Sequence, residues 1–316
     1  MIDSGHESSQ KTSQIKGVIE LNIDVRGFQI AALRATNGTR HRILCLHGWL
    51  DNANSFLPLL PLIDDADIIA IDLPGHGKSD HQSGNSVYSL AEQAHNVLAI
   101  GDQLGWNTFT LIGHSLGGCI APFASVAAAN RIEQLIMIEA AGPRSESAEE
   151  LPARLKKFHH DLSHQTKYNS RTFDNIEQAI ESRLRANTML PESARLIVER
   201  QVKLLLNETS GADETSGEDG ASGEEKLQWR FDKSLRNASP SYFTEAQVQS
   251  VLAAITCPVL CVLGADGYLT DRVETNIRLE KISRCKTVTL AGHHHLHLDS
   301  PAPVANEINQ FLATNK

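Results

Sequence analysis

The chain has 316 residues, enough for one large α/β domain carrying an insertion or for two ordinary domains with a sizeable core. A formal net charge of -9 argues against a nucleic-acid or anionic-membrane binder, and no apolar run approaches the ~20 residues needed to cross a bilayer. The five cysteines are odd in number and sit mostly in apolar runs, as reduced core thiols do, and residues 1–16 lack the apolar core of a signal peptide, so the expected location is cytoplasmic.

From Ile15 to Thr36 the residues alternate and are rich in β-branched types, with a break at Arg26-Gly27, which predicts an antiparallel hairpin. Short apolar strands then alternate with helical stretches. The segments Arg42–Leu46, Asp67–Ile71, Phe109–Ile112, Gln134–Ile138, Val259–Leu263 and Thr287–Leu290 predict a mostly parallel sheet, with amphipathic helices at Tyr88–Leu104 and Pro303–Leu312 on its faces. Between Gly142 and about Gln249 the rhythm changes to charged, helix-like segments (Leu151–Leu162, Ile176–Arg185, Glu192–Leu206) with no buried-strand pattern. The expected division is therefore a core domain over 1–141 and 250–316 with a helical cap inserted at 142–249. Within the cap, 207–225 is acidic and rich in Gly and Ser, with nothing able to pack a core, and predicts a flexible solvated loop.

Gly113-His114-Ser115-Leu116-Gly117 lies between a predicted strand and an Ala-rich helical run. In that setting G-x-S-x-G is a nucleophile elbow, where glycines relieve the crowding of a sharp strand-to-helix turn and the serine hydroxyl is presented at the helix N-terminus. The Leu116 amide is then available to an oxyanion. A serine hydroxyl is a weak nucleophile at neutral pH, so the elbow calls for a histidine base and an orienting acid in the chain order Ser, Asp or Glu, His. Four histidines follow the last strand, in residues 292–301 (GHHHLHLDSP). His294 is the expected base, because it sits in the loop after that strand with Pro301 seven residues on to start the final helix. Despite its density the cluster has no acidic or thiol partner at fixed helical spacing, and Cys257 and Cys261 have no second pair of ligands, so no metal is expected. The second oxyanion donor is expected after an early strand, at Leu46-His47-Gly48-Trp49, where Gly48 admits the substrate and the Trp49 amide points into the site. His47 reads as a structural hydrogen-bonder. His76, in the loop 72–79, precedes the nucleophile in the chain and is set aside as a base.

Taken together, residues 47–56 (HGWLDNANSF), 72–80 (DLPGHGKSD), 111–118 (LIGHSLGG), 138–143 (IEAAGP) and 292–301 resemble the α/β-hydrolase superfamily, most closely its serine hydrolase-like, cap-bearing, esterase-type group. The resemblance implies an eight-stranded, mostly parallel sheet flanked by helices and no cofactor. It sets the chain apart from dehalogenases and epoxide hydrolases, which carry Asp where this chain has Ser115. Many relatives place the acid nine residues after the proline of a Cys-Pro-Val strand. Here that slot is Gly267, with Asp266 one residue short. Some cap-bearing relatives take the acid from the position of Glu139, so Glu139 and Asp266 both stand as candidates. The expected activity is a carboxylesterase on small esters, with His114, Phe56, Trp229, Phe231 and Phe243 as pocket residues. A C–C hydrolase or amidase on the same triad, and a non-catalytic binding protein of the same fold, are the alternatives. The oligomeric state cannot be read from the sequence.

Overall fold

The computed structural model describes residues 17–82, 87–164, 171–205 and 225–315. The expected flexible loop lies, apart from Glu225, outside them, as do Ile15, Lys16 and Leu206. The hairpin forms from β1 (Val18–Val25) and β2 (Phe28–Thr36), turning at Arg26-Gly27, both at positive φ. Then come β3 (His41–Leu46), β4 (Ala66–Ile71), α1 (Leu90–Gln103), β5 (Phe109–His114), α2 (Leu116–Ala127) and β6 (Ile132–Ile138). After an insertion the core resumes with β10 (Val259–Gly264), α7 (Val273–Glu280), β11 (Cys285–Leu290), α8 (Leu296–Asp299) and α9 (Pro301–Thr314).

These strands make one eight-stranded sheet in the order β1-β2-β4-β3-β5-β6-β10-β11, antiparallel where β2 meets β1 and β4 and parallel elsewhere. The central strands read as apolar runs because both faces are covered. Every residue of β4, β5 and β10 is buried, and the alternate side chains of these strands enter two separate clusters, one packed under α1 and α2 and the other under α9. Parallel packing with right-handed crossovers places the C-terminal ends of β3, β5, β6 and β10 together, which is where such a sheet presents its loops to a ligand.

The insertion holds α3 (Leu151–His164), β7 (Thr172–Phe173), α4 (Ile176–Ala186), α5 (Pro191–Gln201), β8 (Val202–Leu205), β9 (Lys226–Trp229) and α6 (Glu245–Ala253). It is a cap-like region, but not wholly helical. Strands β7, β9 and β8 form a small antiparallel sheet, and the segment expected to be one helix from Glu192 breaks after Gln201 into β8. The strands are only half-buried, so they lack the apolar run that would mark them in the sequence.

Buried polar contacts fasten this region to the core. Arg200 Nε donates to both carboxylate oxygens of Asp72 (2.9 and 2.8 Å) and its Nη1 to Glu20 (2.8 Å), and Asp72 also accepts from the Ala53 and Lys78 amides. Asn52 donates to the Ile197 carbonyl, and Tyr88 donates to Asp232. An ion pair this deeply buried contributes little net stability, but losing one partner would strand the other charge. Among the described residues no helix is long and apolar enough to cross a membrane.

Candidate active site

Ser115 is the N-cap of α2 and sits at φ 49°, ψ -110°, a backbone conformation that costs a non-glycine residue on the order of 1–3 kcal/mol. Its amide donates to the Ile138 carbonyl and its carbonyl accepts from the Cys119 amide, so the turn is held from both sides. The three glycines around it are steric necessities. A Cβ on Gly113 would collide with the backbone of Gly117 and Gly118, one on Gly117 with Leu46, and one on Gly118 with the Ala140 side chain.

At the end of the neighbouring strand β6, Glu139 also adopts positive φ, 49°. Its side chain is fully inside the protein, at 2% exposure for the residue. Oε1 accepts from the Gly264 amide (2.8 Å), and Oε2 accepts from the Tyr268 amide (2.9 Å) and from His294 Nδ1 (3.0 Å). A carboxylate with three N–H donors is satisfied as an anion in a buried place. The His294 proton therefore rests on Nδ1, which leaves Nε2 with its lone pair. Tyr268 stacks on the imidazole, with ring centroids 4.4 Å apart and planes 25° apart. Asp266 is exposed, and its contacts are made by the backbone, to Gly292 and to His293 Nδ1.

Ser115, Glu139 and His294 line a single cavity of about 310 Å³, together with Trp49, Cys119, Asn187, Tyr268 and Leu269. No hydrogen bond joins Ser115 Oγ to His294 among the described residues. The Trp49 indole, half exposed, donates to the Leu235 carbonyl of the cap-like region (3.0 Å), which fixes the loop that carries the Trp49 amide. Neither the Trp49 nor the Leu116 amide, the two expected oxyanion donors, donates a hydrogen bond among the described residues. The burial of Cys119 raises its thiol to about 12, so the thiol beside the serine stays protonated.

His114 is completely buried and also lines the cavity, but Phe56, Trp229, Phe231 and Phe243 do not. Phe56 packs in the sheet core against His297 (5.2 Å), Trp229 on Phe173 inside the cap-like region, Phe231 against Trp229, and Phe243 on Phe123. Each serves its local packing. The aromatic walls of the cavity are instead Trp49 and Tyr268.

The remaining histidines divide by environment. His293 is exposed, whereas His295 and His297 are buried. His47 accepts from the Leu73 amide at Nε2 (2.9 Å) and donates from Nδ1 to the Gly48 carbonyl (2.7 Å), the structural role expected of it. Burial and the adjacent His47 depress His76 to about 3. Burial, followed by His297, His294 and His295, holds His114 well below the usual histidine range.

The sequence reading missed Asp51. It is buried, and its Oδ1 pairs with Arg183 from α4. Its Oδ2 lies 3.4 Å from His295 Nε2 and 3.8 Å from His114 Nδ1. The expectation that the histidine cluster has no acidic partner considered only neighbours in sequence, whereas the loop after β3 brings an acid to it. Despite its own burial, Asp51 is held well below the usual carboxylate range by Arg183 and His295.

Residues 41–301 match the model of the alpha/beta hydrolase fold family. A serine hydrolase-like protein of Dictyostelium discoideum is 28% identical over 87% of this chain and 76% of its own length. A Drosophila melanogaster protein named as a probable serine hydrolase is 30% identical over 86% of this chain and 81% of its own. The crystal structure of a hypothetical protein of Pseudomonas aeruginosa PAO1 superposes with a TM-score of 0.83 at 30% identity, covering 93% of this chain and 99% of that one. The fold and these similarities are those of a hydrolase-type enzyme.

Proposed function

The chain belongs to the alpha/beta hydrolase fold family, and from that premise we propose that it is a serine hydrolase acting on small carboxylic esters through Ser115, His294 and Glu139. The observation that carries this reading is the 3.0 Å contact between Glu139 and His294 Nδ1 in the cavity that also holds Ser115. It leaves Nε2 as the basic nitrogen. Ser115 Oγ attacks the ester carbonyl carbon while its proton passes to His294 Nε2. The carbonyl electrons move onto oxygen, and the Trp49 and Leu116 amides donate hydrogen bonds to that oxyanion. When the tetrahedral species collapses, the C–O bond to the alcohol breaks and the same proton leaves with the alkoxide. Water then repeats the sequence on the acyl-enzyme, giving up its proton through His294 to Ser115 and releasing the acid. Glu139 stabilises the imidazolium at each stage without taking its proton.

A cavity of about 310 Å³, at the small end for ligand sites, supports a small substrate. Trp49, Tyr268 and Leu269 give it apolar walls and Asn187 a polar group. Asp266 has no part in this chemistry. Fluorophosphonate labelling of the purified protein, combined with a panel of esters of rising acyl length, tests the reading. Labelling at Ser115 and turnover of the short esters are expected. No labelling would return the chain to the non-catalytic alternative, and labelling with turnover of amides or 1,5-diketones alone would favour the other hydrolase classes.

A further inference from the structure

Asp51, His114 and His295 have no part in the chemistry above, yet all three are buried and all three line the same cavity. Each offers one ligand atom, and the three atoms lie within 4.8 Å of one another. Asp51 Oδ2 stands 3.4 Å from His295 Nε2 and 3.8 Å from His114 Nδ1. Around a tetrahedral zinc ion, whose bonds are about 2.0–2.1 Å, neighbouring ligand atoms sit roughly 3.3 Å apart. Those two pairs are thus within about half an ångström of the spacing between neighbouring ligands of a tetrahedral zinc ion.

The tautomer of His114 is a second, independent sign. Its Nε2–H donates to the His294 carbonyl (2.9 Å), so Nδ1 carries the lone pair. That nitrogen is buried and has no hydrogen-bond partner, and it faces a carboxylate oxygen. A backbone carbonyl holding the far N–H is how proteins orient a metal-binding imidazole. Gly48 makes the room, since a Cβ there would stand 2.8 Å from Asp51 Oδ2 and 3.0 Å from His114 Nδ1. Arg183 occupies the other carboxylate oxygen, which keeps Asp51 ionised and leaves Oδ2 facing the two imidazoles.

We propose that Asp51, His114 and His295 form a binding site for a divalent transition-metal ion, with Zn²⁺ the best fit, in the wall of the cavity that holds Ser115, and that the bound ion inhibits the hydrolase. Two imidazoles and one carboxylate suit a borderline cation and not the all-oxygen shell of Mg²⁺ or Ca²⁺. Inhibition follows from place, since the ion takes up room in a small cavity that also holds Ser115 and His294. The site itself does not depend on the nucleophile assignment, because none of its ligands belongs to the triad.

The test uses tag-free protein carrying Ser115→Ala, so that turnover plays no part. Calorimetric titration with Zn²⁺ should show one equivalent bound, and Co²⁺ should give visible d–d absorption of a four- or five-coordinate site. His295→Gln and Asp51→Asn, each shown to be folded by circular dichroism, should weaken Zn²⁺ binding at least about tenfold. His164→Ala, which breaks the stacked His160/His164 pair on the surface of α3, should leave it unchanged. The site is overturned if no Zn²⁺ binds at concentrations up to roughly 100 μM, a free energy of about -5.5 kcal/mol. It is equally overturned if folded His295→Gln binds as tightly as its parent or if His164→Ala abolishes binding. With Ser115 intact, Zn²⁺ should inhibit ester turnover at the concentrations that saturate the site, and chelator should restore it. Inhibition that survives in His295→Gln would contradict the inhibitory role. Were no ester turned over at all, the calorimetric result would still decide the site.

Discussion

The carboxylate of Glu139 fills the space that a side chain on Gly267 would occupy, for a Cβ built there would stand 2.6 Å from Oε2 and collide with the rest of the carboxyl group. Gly267 is the position that the resemblance marks for a triad acid, and here the carboxylate of Glu139 reaches that volume from the end of β6 and meets His294 Nδ1 there.

The first prediction separates the two candidate acids. Glu139→Gln should lower kcat by roughly a hundredfold to ten-thousandfold with little change in KM, because the lost charge acts on imidazolium formation in the transition state. Asp266→Asn should cost less than about tenfold. Steady-state kinetics on the two variants side by side decide it, and the reverse ranking would move the acid to Asp266.

Gly267→Ala should behave as a weaker version of Glu139→Gln. The new methyl forces the carboxylate off its three donors, and His294 loses its fixed orientation with it. A fall in kcat of about tenfold to a hundredfold is expected, since sub-ångström misplacement of catalytic groups costs on that scale. An unchanged kcat would show that Glu139 tolerates displacement and does not orient the base.

Among the histidines that line the cavity, His294 is the one hydrogen-bonded to Glu139, and it is not fully buried as His114 and His295 are. His294→Ala should cost on the order of a thousandfold or more in kcat, whereas exposed His293→Ala should stay within about tenfold of the parent. Equal losses in the two variants would mean that the base is misassigned.

His47 and His76 are fully buried, face each other with ring centroids 5.0 Å apart, and have folded-state pKa values below the unfolded one, about 3 for His76. The unfolded chain therefore binds protons below about pH 6.5 that the native protein refuses. Their contribution is fully present above that pH and is lost as pH falls, by up to about 1.4 kcal/mol per pH unit for each. The melting temperature should drop steadily from pH 7 to pH 4.5. In His76→Gln the slope should be shallower, and a melting temperature that is flat over this range in the parent protein would contradict the assignment.

Much of this was legible in the chain. The sheet strands declare themselves as apolar runs because both faces are covered, and Ser115 is marked by glycines that the turn cannot do without. His294 was singled out through its distance from Pro301, and the fold brings it to Glu139 and into the cavity with Ser115. The acid remained a choice between Glu139 and Asp266 because spacing says where a residue falls on a strand end and not which way the backbone turns there. The positive φ of Glu139 and the room at Gly267, which together bring this carboxylate to His294, are tertiary facts that spacing does not carry. The expected pocket aromatics Phe56, Trp229, Phe231 and Phe243 do not line the cavity, and each packs instead on an aromatic neighbour of its own. Asp51 gave no signal because its partners Arg183, His114 and His295 come from three distant segments. The strands of the cap-like region are short and half-buried, so no apolar run betrayed them.

An activated Ser115 reacts with a fluorophosphonate probe, and mass spectrometry on the intact protein and its peptides reads that labelling. A single adduct on Ser115 is expected, slowed strongly in both His294→Ala and Glu139→Gln and absent in Ser115→Ala. Failure of the unmodified, folded protein to label, or labelling that persists at full rate in Ser115→Ala, would contradict an activated Ser115.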